Sequence, residues 1–328
     1  MNKTTPNDFI KAKEFVERHN SFALATHVRT DGDDCGSMLA TAIALQSLGK
    51  KAVPFAKGGV PALLRFLPRH SEVREDFIGA AGAGSGAFDA VILFGCAYLE
   101  RTELPELISL NLPVLNIDHH PDNQLFGDAH LVDEQKSSAA EMTYDFLKYL
   151  GVEMTAEIAT CLLTGIFTDT GSFMHANTSA SALSAAGELM KYGARVDKIF
   201  GHTYSSKDLP SLRAWGKALE NTRVDKNNQV AICVLTEEDL AELGEGLSED
   251  AFTGLADTLN TIPDTRFSVF VRQEGDYIKG SIRSDENKNV DVSKIAKAVA
   301  GGGGHKLAAG FRIKGRIEKQ PDGSWRIK

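Results

Sequence analysis

In the stretch THVRTDGDDCGS, residues 26–37, one imidazole and two carboxylates stand close together: His27, Asp31 and Asp33. They follow an apolar run, FALATH, and precede a helix-like one. Hard and borderline divalent metals accept this mixed nitrogen and oxygen set, so the three can converge on metal ions. Gly32 and Gly36 let the backbone bend, and a helix opening near Gly36-Ser37 would offer free N–H groups to an anion. An acidic loop that merely caps a helix would have the same composition.

A second stretch, NIDHHPD at 116–122, places Asp118, His119 and His120 after another apolar strand. Adjacent histidines can divide roles, one coordinating a metal and the other meeting substrate, while the carboxylate beside them orients an imidazole. A third, LTGIFTDTGSF at 163–173, holds Asp169 between two threonines; it also reads as a helix end closed by Gly171. In a fourth, residues 280–310, four consecutive glycines precede His305 and follow Arg283. Successive N–H groups of such a run can form an anion nest, and an arginine grips phosphate with a fork of donors. A flexible loop between a helix and a strand is the plainer alternative.

The elements that must carry these residues alternate. Residues 7–19 read as an amphipathic helix, FALATH as a buried strand, Gly36 to Leu48 as a helix, and KAVPFA, FDAVILF and PVLNID as further strands. Such alternation predicts a parallel sheet covered by helices, with the polar clusters at the carboxyl ends of the strands. Ser138 and Glu141 have capping-box spacing before an apolar run to Leu150. Helices are expected over 155–168, 179–192 and 207–222. QVAICVLT, FSVFVRQ and YIKGSIRS then read as strands, with helices near 237–244 and 292–300 and a final hairpin turning at Asp322-Gly323.

The chain has 328 residues, 42% of them hydrophobic, which is enough for two cores. No run of about 18 apolar residues would span a membrane. The opening MNKTTPNDFIKAKEF lacks the apolar core of a signal peptide, and the four cysteines form neither a zinc pattern nor a disulfide framework, so a reducing cytoplasm is expected. The net charge is -8, yet residues 279–328 hold 12 Lys and Arg against 5 Asp and Glu, which leaves -15 on the remainder. An acidic body suits divalent cations and a basic tail suits phosphate. The same body argues against long duplexes, which need many phosphate contacts. A homodimer is left open.

Together DGD, DHH, TDTGSF and GGGGH, in this order over nearly the whole chain, resemble the DHH/DHHA1 phosphoesterases. The resemblance is closest to the short form that includes oligoribonuclease/pAp phosphatases, with RecJ-type exonucleases and cyclic-dinucleotide phosphodiesterases as relatives. It implies an α/β fold with three parts: a parallel-sheet DHH domain with helices on both faces (1–190), a helical linker (191–225) and a smaller mixed α/β DHHA1 substrate-binding domain (226–328). It implies two manganese ions, magnesium being less expected, held by His27, Asp31, Asp33, His119 and Asp169. His120 would face the scissile phosphate with Asp118 beside it, and Arg283, Gly302, Gly303, Gly304 and His305 would hold the substrate.

One motif departs. The run AVILFGCAYLER has Gly95 and Tyr98 where the family has aspartates, the first of which bridges both metals. The alternative to a two-metal site is therefore a single ion, and Gly95→Asp is expected to tighten the second site and raise turnover. The expected activity is metal-dependent hydrolysis of short oligonucleotides, dinucleotides or nucleoside bisphosphates such as pAp. The rivals are a catalytically weakened nucleotide-binding protein and, further off, a phosphatase of inorganic or polymeric phosphate.

Overall fold

The structure of the protein is a computed structural model, which describes residues 3–328 apart from 29, 78–87, 205–207, 245–246, 248, 253, 305 and 322–323. The chain divides into two compact units, Met1–Ser206 and Lys207–Lys328. Of the stretch 191–225, one helix falls in each unit. No helix among the described residues is long and apolar enough to cross a membrane.

The first unit runs α1 (Pro6–Arg18), β1 (Ser21–Thr26), α2 (Gly32–Ser47), β2 (Lys51–Phe55), β3 (Ala90–Phe94), α3 (Pro105–Ser109), β4 (Val114–Asp118), β5 (Ala129–Val132), α4 (Ala139–Tyr149), α5 (Ala156–Asp169), α6 (Ala180–Lys191) and α7 (Val196–Thr203). Its five strands are ordered β2-β1-β3-β4-β5 and every pair is parallel. β3 is buried along its whole length, because helices and loops cover both faces of a parallel sheet. Alternation then sorts β1: Phe22 and Leu24 join a core with α1, α2 and α4, while Ala23 and Ala25 face Phe55, Phe77, Phe88 and the Leu104–Leu107 region of α3. β5 escapes sequence reading because it is only four residues long and contains a half-buried His130.

Two helix starts differ in detail from expectation. α2 begins at Gly32, not Gly36, because Asp31 caps it by accepting from the backbone N–H groups of Asp33 and Asp34 at 3.0 and 3.1 Å. The N–H groups at Gly36-Ser37 therefore lie inside the helix and offer no anion site. Ser138 does cap α4, accepting from Glu141 N at 3.0 Å, but the reciprocal half of the box is displaced: Glu141 accepts from the backbone and hydroxyl of Ser137.

Small residues set the distance between α2, α4 and α5. A Cβ on Gly36 would lie 2.3 Å from the Cys161 carbonyl oxygen, and one on Gly165 would lie 2.5 Å from the Ala140 Cβ. This close approach brings the first turn of α2 to the last residue of α5.

The second unit runs α8 (Leu209–Glu220), β6 (Arg223–Asp225), β7 (Val230–Leu235), α9 (Glu237–Glu242), α10 (Leu255–Asn260), β8 (Phe267–Glu274), β9 (Tyr277–Arg283), α11 (Val292–Ala300), β10 (Gly303–Gly304), β11 (Ala308–Lys314), β12 (Ile317–Lys319) and β13 (Trp325–Ile327). Its sheet order is β10-β11-β9-β8-β7-β6, antiparallel except for β7–β8. β12 and β13 pair as the expected hairpin, whose turn at Asp322-Gly323 lies outside the described residues. The architecture is thus a parallel-sheet α/β unit followed by a smaller mixed one.

Replacing an exposed mid-helix glycine by alanine usually gains up to about 1 kcal/mol. At Gly36 overpacking should reverse the sign and cost about 1–3 kcal/mol. Urea denaturation of Gly36→Ala measures it, and a stabilised variant would show that α2 and α5 can separate freely.

Candidate metal centre

Three neighbouring strands deliver the site. β1, β3 and β4 run parallel and in register, Thr26 opposite Phe94 and Phe94 opposite Ile117. His27, Gly95 and Asp118 to His120 therefore step off one edge of the sheet. The first turn of α2 adds Asp31, Asp33 and Asp34, and the last residue of α5 adds Asp169.

Side-chain ligand atoms gather into two groups, His27 with Asp31 and Asp34, and Asp33 with His119 and Asp169; within each, the atoms lie within 4.8 Å of one another. All five residues expected as ligands fall in these two groups. The sixth member of the groups, Asp34, is one the sequence reading passes over; its signal was the doubled aspartate of DGDD.

Several members are oriented by a partner. His27 directs Nδ1 at the Val28 carbonyl, 2.6 Å, which leaves Nε2 facing Asp34 Oδ2 at 2.6 Å. Burial opposes the charged imidazole, but the adjoining Asp34 and then Asp31 outweigh it and lift His27 to about 9. Asp33 accepts from Ala139 N and Ala140 N, both at 2.7 Å, at the start of α4. His119 Nε2 lies 3.7 Å from both Asp33 Oδ2 and Asp169 Oδ2. Asn177, also missed by the sequence reading, donates to Asp169 Oδ2 at 3.2 Å and to the Ser137 carbonyl at 2.9 Å. α5 does end beside Gly171, whose φ is +54°, so Asp169 is both a helix terminus and a member of the second group.

The carboxylates are crowded. Burial, then Asp169, Asp34 and Asp31, push Asp33 well above the usual carboxylate range. Burial and then Asp31 raise Asp34 to about 6 even with His27 adjacent. Asp34 is 2% exposed, and its Oδ2 has no donor in hydrogen-bonding geometry; the close His27 contact does not meet it. Such a cluster suits cations.

Asp118 has a different duty. Fully buried, it accepts from His119 N, His120 N and Asn123 Nδ2, and its Oδ1 lies 2.6 Å from His120 Nδ1. Burial works against its charge, yet the His120 and Asn123 contacts bring it down to about 2. It holds the double-histidine turn and fixes the His120 ring.

Gly95 overturns an expectation. It sits at φ +61°, and a Cβ there would lie 1.8 Å from Asp34 Oδ1, with the next two nearest atoms also in that carboxyl group. The space at this strand end is filled, so Gly95→Asp would drive a side chain into Asp34 rather than into a gap. Cys96 is buried in the apolar layer behind the sheet, and burial pushes its thiol well up.

In the second unit, Arg283 ends β9, where its Nε donates to Asp257 Oδ1 at 2.9 Å. The glycine run is built rather than loose. Gly301 caps α11, and a Cβ on Gly302 or Gly304 would lie 2.4 or 2.5 Å from carbonyl oxygens of β11, while Gly303 has open space. His305 lies outside the described residues.

Asp118→Asn keeps the shape but places a donor where only donors converge. Losing one charged acceptor should cost about 1.5–3 kcal/mol in metal-free protein. Chemical denaturation in chelator checks it, and a cost below about 0.5 kcal/mol would show that the turn is held by something else.

Residues 21–166 match the DHH family, N-terminal domain, and residues 227–322 the DHHA1 domain. The bifunctional oligoribonuclease and PAP phosphatase NrnA of Thermus thermophilus is 36% identical over 295 residues, 89% of this chain and 84% of that protein. Among solved structures, an exopolyphosphatase-related protein from Bacteroides fragilis shares the fold at a TM-score of 0.87 and 24% identity, over 95% of this chain and 92% of its own. RecJ from Thermus thermophilus in complex with Mn2+ shares it at 0.57 and 14% identity, over 94% of this chain and 53% of its own. With its two domains matched in order and a relative this similar along most of its length, the chain belongs to the DHH/DHHA1 phosphoesterase family that includes the oligoribonuclease and PAP phosphatases.

Proposed function

We propose that this chain is a divalent-metal-dependent phosphohydrolase of short oligonucleotides, dinucleotides or nucleoside bisphosphates such as pAp. The observation that carries the reading is the pair of three-residue ligand groups at one edge of the parallel sheet, His27, Asp31 and Asp34 beside Asp33, His119 and Asp169. The residues fit divalent ions: they offer imidazole nitrogens and carboxylate oxygens, and among the described residues the buried Asp34 Oδ2 has only the His27 ring beside it. Manganese is the ion we assign, supported by this donor set and by the manganese bound to RecJ of the same fold. Ions held there would supply a water of lowered pKa and offset charge on the phosphate.

The protein's own groups do the rest. His120, its ring fixed by Asp118, gives a hydrogen bond to an oxygen of the reacting phosphoryl group as charge builds there. Arg283, with the Gly302 to Gly304 segment and His305, holds a further phosphate of the substrate, as the basic balance of this part of the chain favours. The substrate class rests on the Thermus thermophilus relative, whose name gives oligoribonucleotides and PAP. The second reading, a nucleotide-binding protein with weakened catalysis, draws on Gly95 and Tyr98.

Turnover of a dinucleotide and of pAp should fall to background after exhaustive chelation and return on adding manganese, more fully than with magnesium. Full activity in chelator would refute metal dependence, and tight nucleotide binding with no turnover under any metal would favour the second reading. Arg283→Ala should raise KM about 10- to 100-fold, the loss of one charged hydrogen bond. Manganese affinity should be unchanged. An unaltered KM would remove Arg283 from the substrate site.

A further inference from the structure

The sheet order puts β3 between β1 and β4, so the residue after Phe94 stands between His27 on one side and Asp118 to His120 on the other. A carboxylate at that point would lie between the two ligand groups. Position 95 has no side chain to give. Its backbone, at φ +61°, and its missing Cβ instead leave room for the Asp34 carboxyl group, whose Oδ1 would be 1.8 Å from a Cβ there and whose Cγ and Oδ2 are the next nearest atoms. Asp34 comes from α2, not from β3, yet its carboxylate ends at the place a β3 side chain would start. It is 2% exposed, its Oδ2 lies 2.6 Å from His27 Nε2, and among the described residues no other donor meets that oxygen.

We infer that Asp34 and Gly95 form an exchanged pair: Asp34 is a metal ligand that carries, from the first turn of α2, the central carboxylate that β3 does not provide, and Gly95 is glycine because Asp34 occupies its side-chain space. The exchange restores the balance of charge. Asp31, Asp33, Asp34 and Asp169 bring four negative charges to two divalent ions, where the three without Asp34 would fall one short. Helix geometry makes it workable. Successive residues of a helix point about 100° apart. Asp33 can therefore serve the group with His119 and Asp169, while Asp34 serves the group with His27 and Asp31. The two positions are also sterically exclusive, so a carboxylate at both should be worse than a carboxylate at either.

This inference rests on the metal reading above, and one calorimetric series separates the two. Manganese is titrated into the chelator-stripped full chain as wild type, Asp34→Ala, Asp34→Asn, Gly95→Asp and the double variant Asp34→Ala with Gly95→Asp. Thermal melts in chelator establish that each is folded. Wild type should bind two ions. Asp34→Ala and Asp34→Asn should lose one ion or bind it at least about 10-fold more weakly, and Gly95→Asp should do the same through collision. The double variant should regain the second ion, because alanine clears the Asp34 carboxyl atoms and aspartate tolerates a left-handed backbone better than most residues. Should Asp34→Ala or the double variant melt early, Asp34→Asn, which keeps the shape, decides the matter alone. No ion bound by wild type would sink the metal reading itself. Ions bound by wild type and bound equally well by Asp34→Asn, or a Gly95→Asp protein that matches wild type, would overturn the exchange while leaving that reading standing.

Discussion

Like charges held close together at the end of a buried strand bundle dominate this protein. Asp33 and Asp34 are almost wholly inside, Asp169 is half-buried, and Asp31 stands at the rim. Carboxylates so placed repel one another and lose hydration, and both effects favour their neutral form unless positive charge arrives. His27 supplies some of that charge to Asp34, and the α4 N-terminus supplies oriented N–H groups to Asp33. The remainder is a standing demand for cations.

That packing is specified by absence as much as by presence. Gly36 and Gly165 remove side chains where α2, α4 and α5 cross, and Gly32 does the same beside Thr168. Without these contacts the first turn of α2 would stand farther from the end of α5, and the ligand groups would open. Asp118 contributes differently. Its own side chain belongs to neither group, yet by gathering the N–H groups of two histidines and the amide of Asn123 it fixes the turn that carries His119 and His120. An arrangement of this kind sets geometry by hydrogen bonds behind the working groups, where they are protected from water.

Much of this was legible in the sequence. The alternation of strands and helices, the placement of the polar motifs at strand ends, and the ligand types themselves follow from hydrophobic periodicity and from the donors that divalent metals accept. The start of α2 was misplaced by four residues because glycine at 32 and 36 reads as loop, whereas here it serves close helix contact. The glycine run before His305 reads as free backbone, but β10 pairs Gly303 and Gly304 with β11, and a Cβ on Gly302 or Gly304 would meet β11 carbonyl oxygens.

The sequence by itself determined which chemistry is available: His27, Asp31, Asp33, His119 and Asp169, each at the end of a strand or helix whose type local residues dictate. Beside the pattern of the family it resembles, it also shows Gly95 where an aspartate is expected. Only the tertiary structure decided what fills that place. Residues 34 and 95 are far apart along the chain and belong to elements of different type, so no local spacing relates them. Their meeting depends on where α2 begins, which sets the direction of each side chain on it, and on the height at which its first turn crosses the end of β3. Side-chain direction in a helix turns with every residue, and a shift of one position would have moved Asp34 away from the space over Gly95.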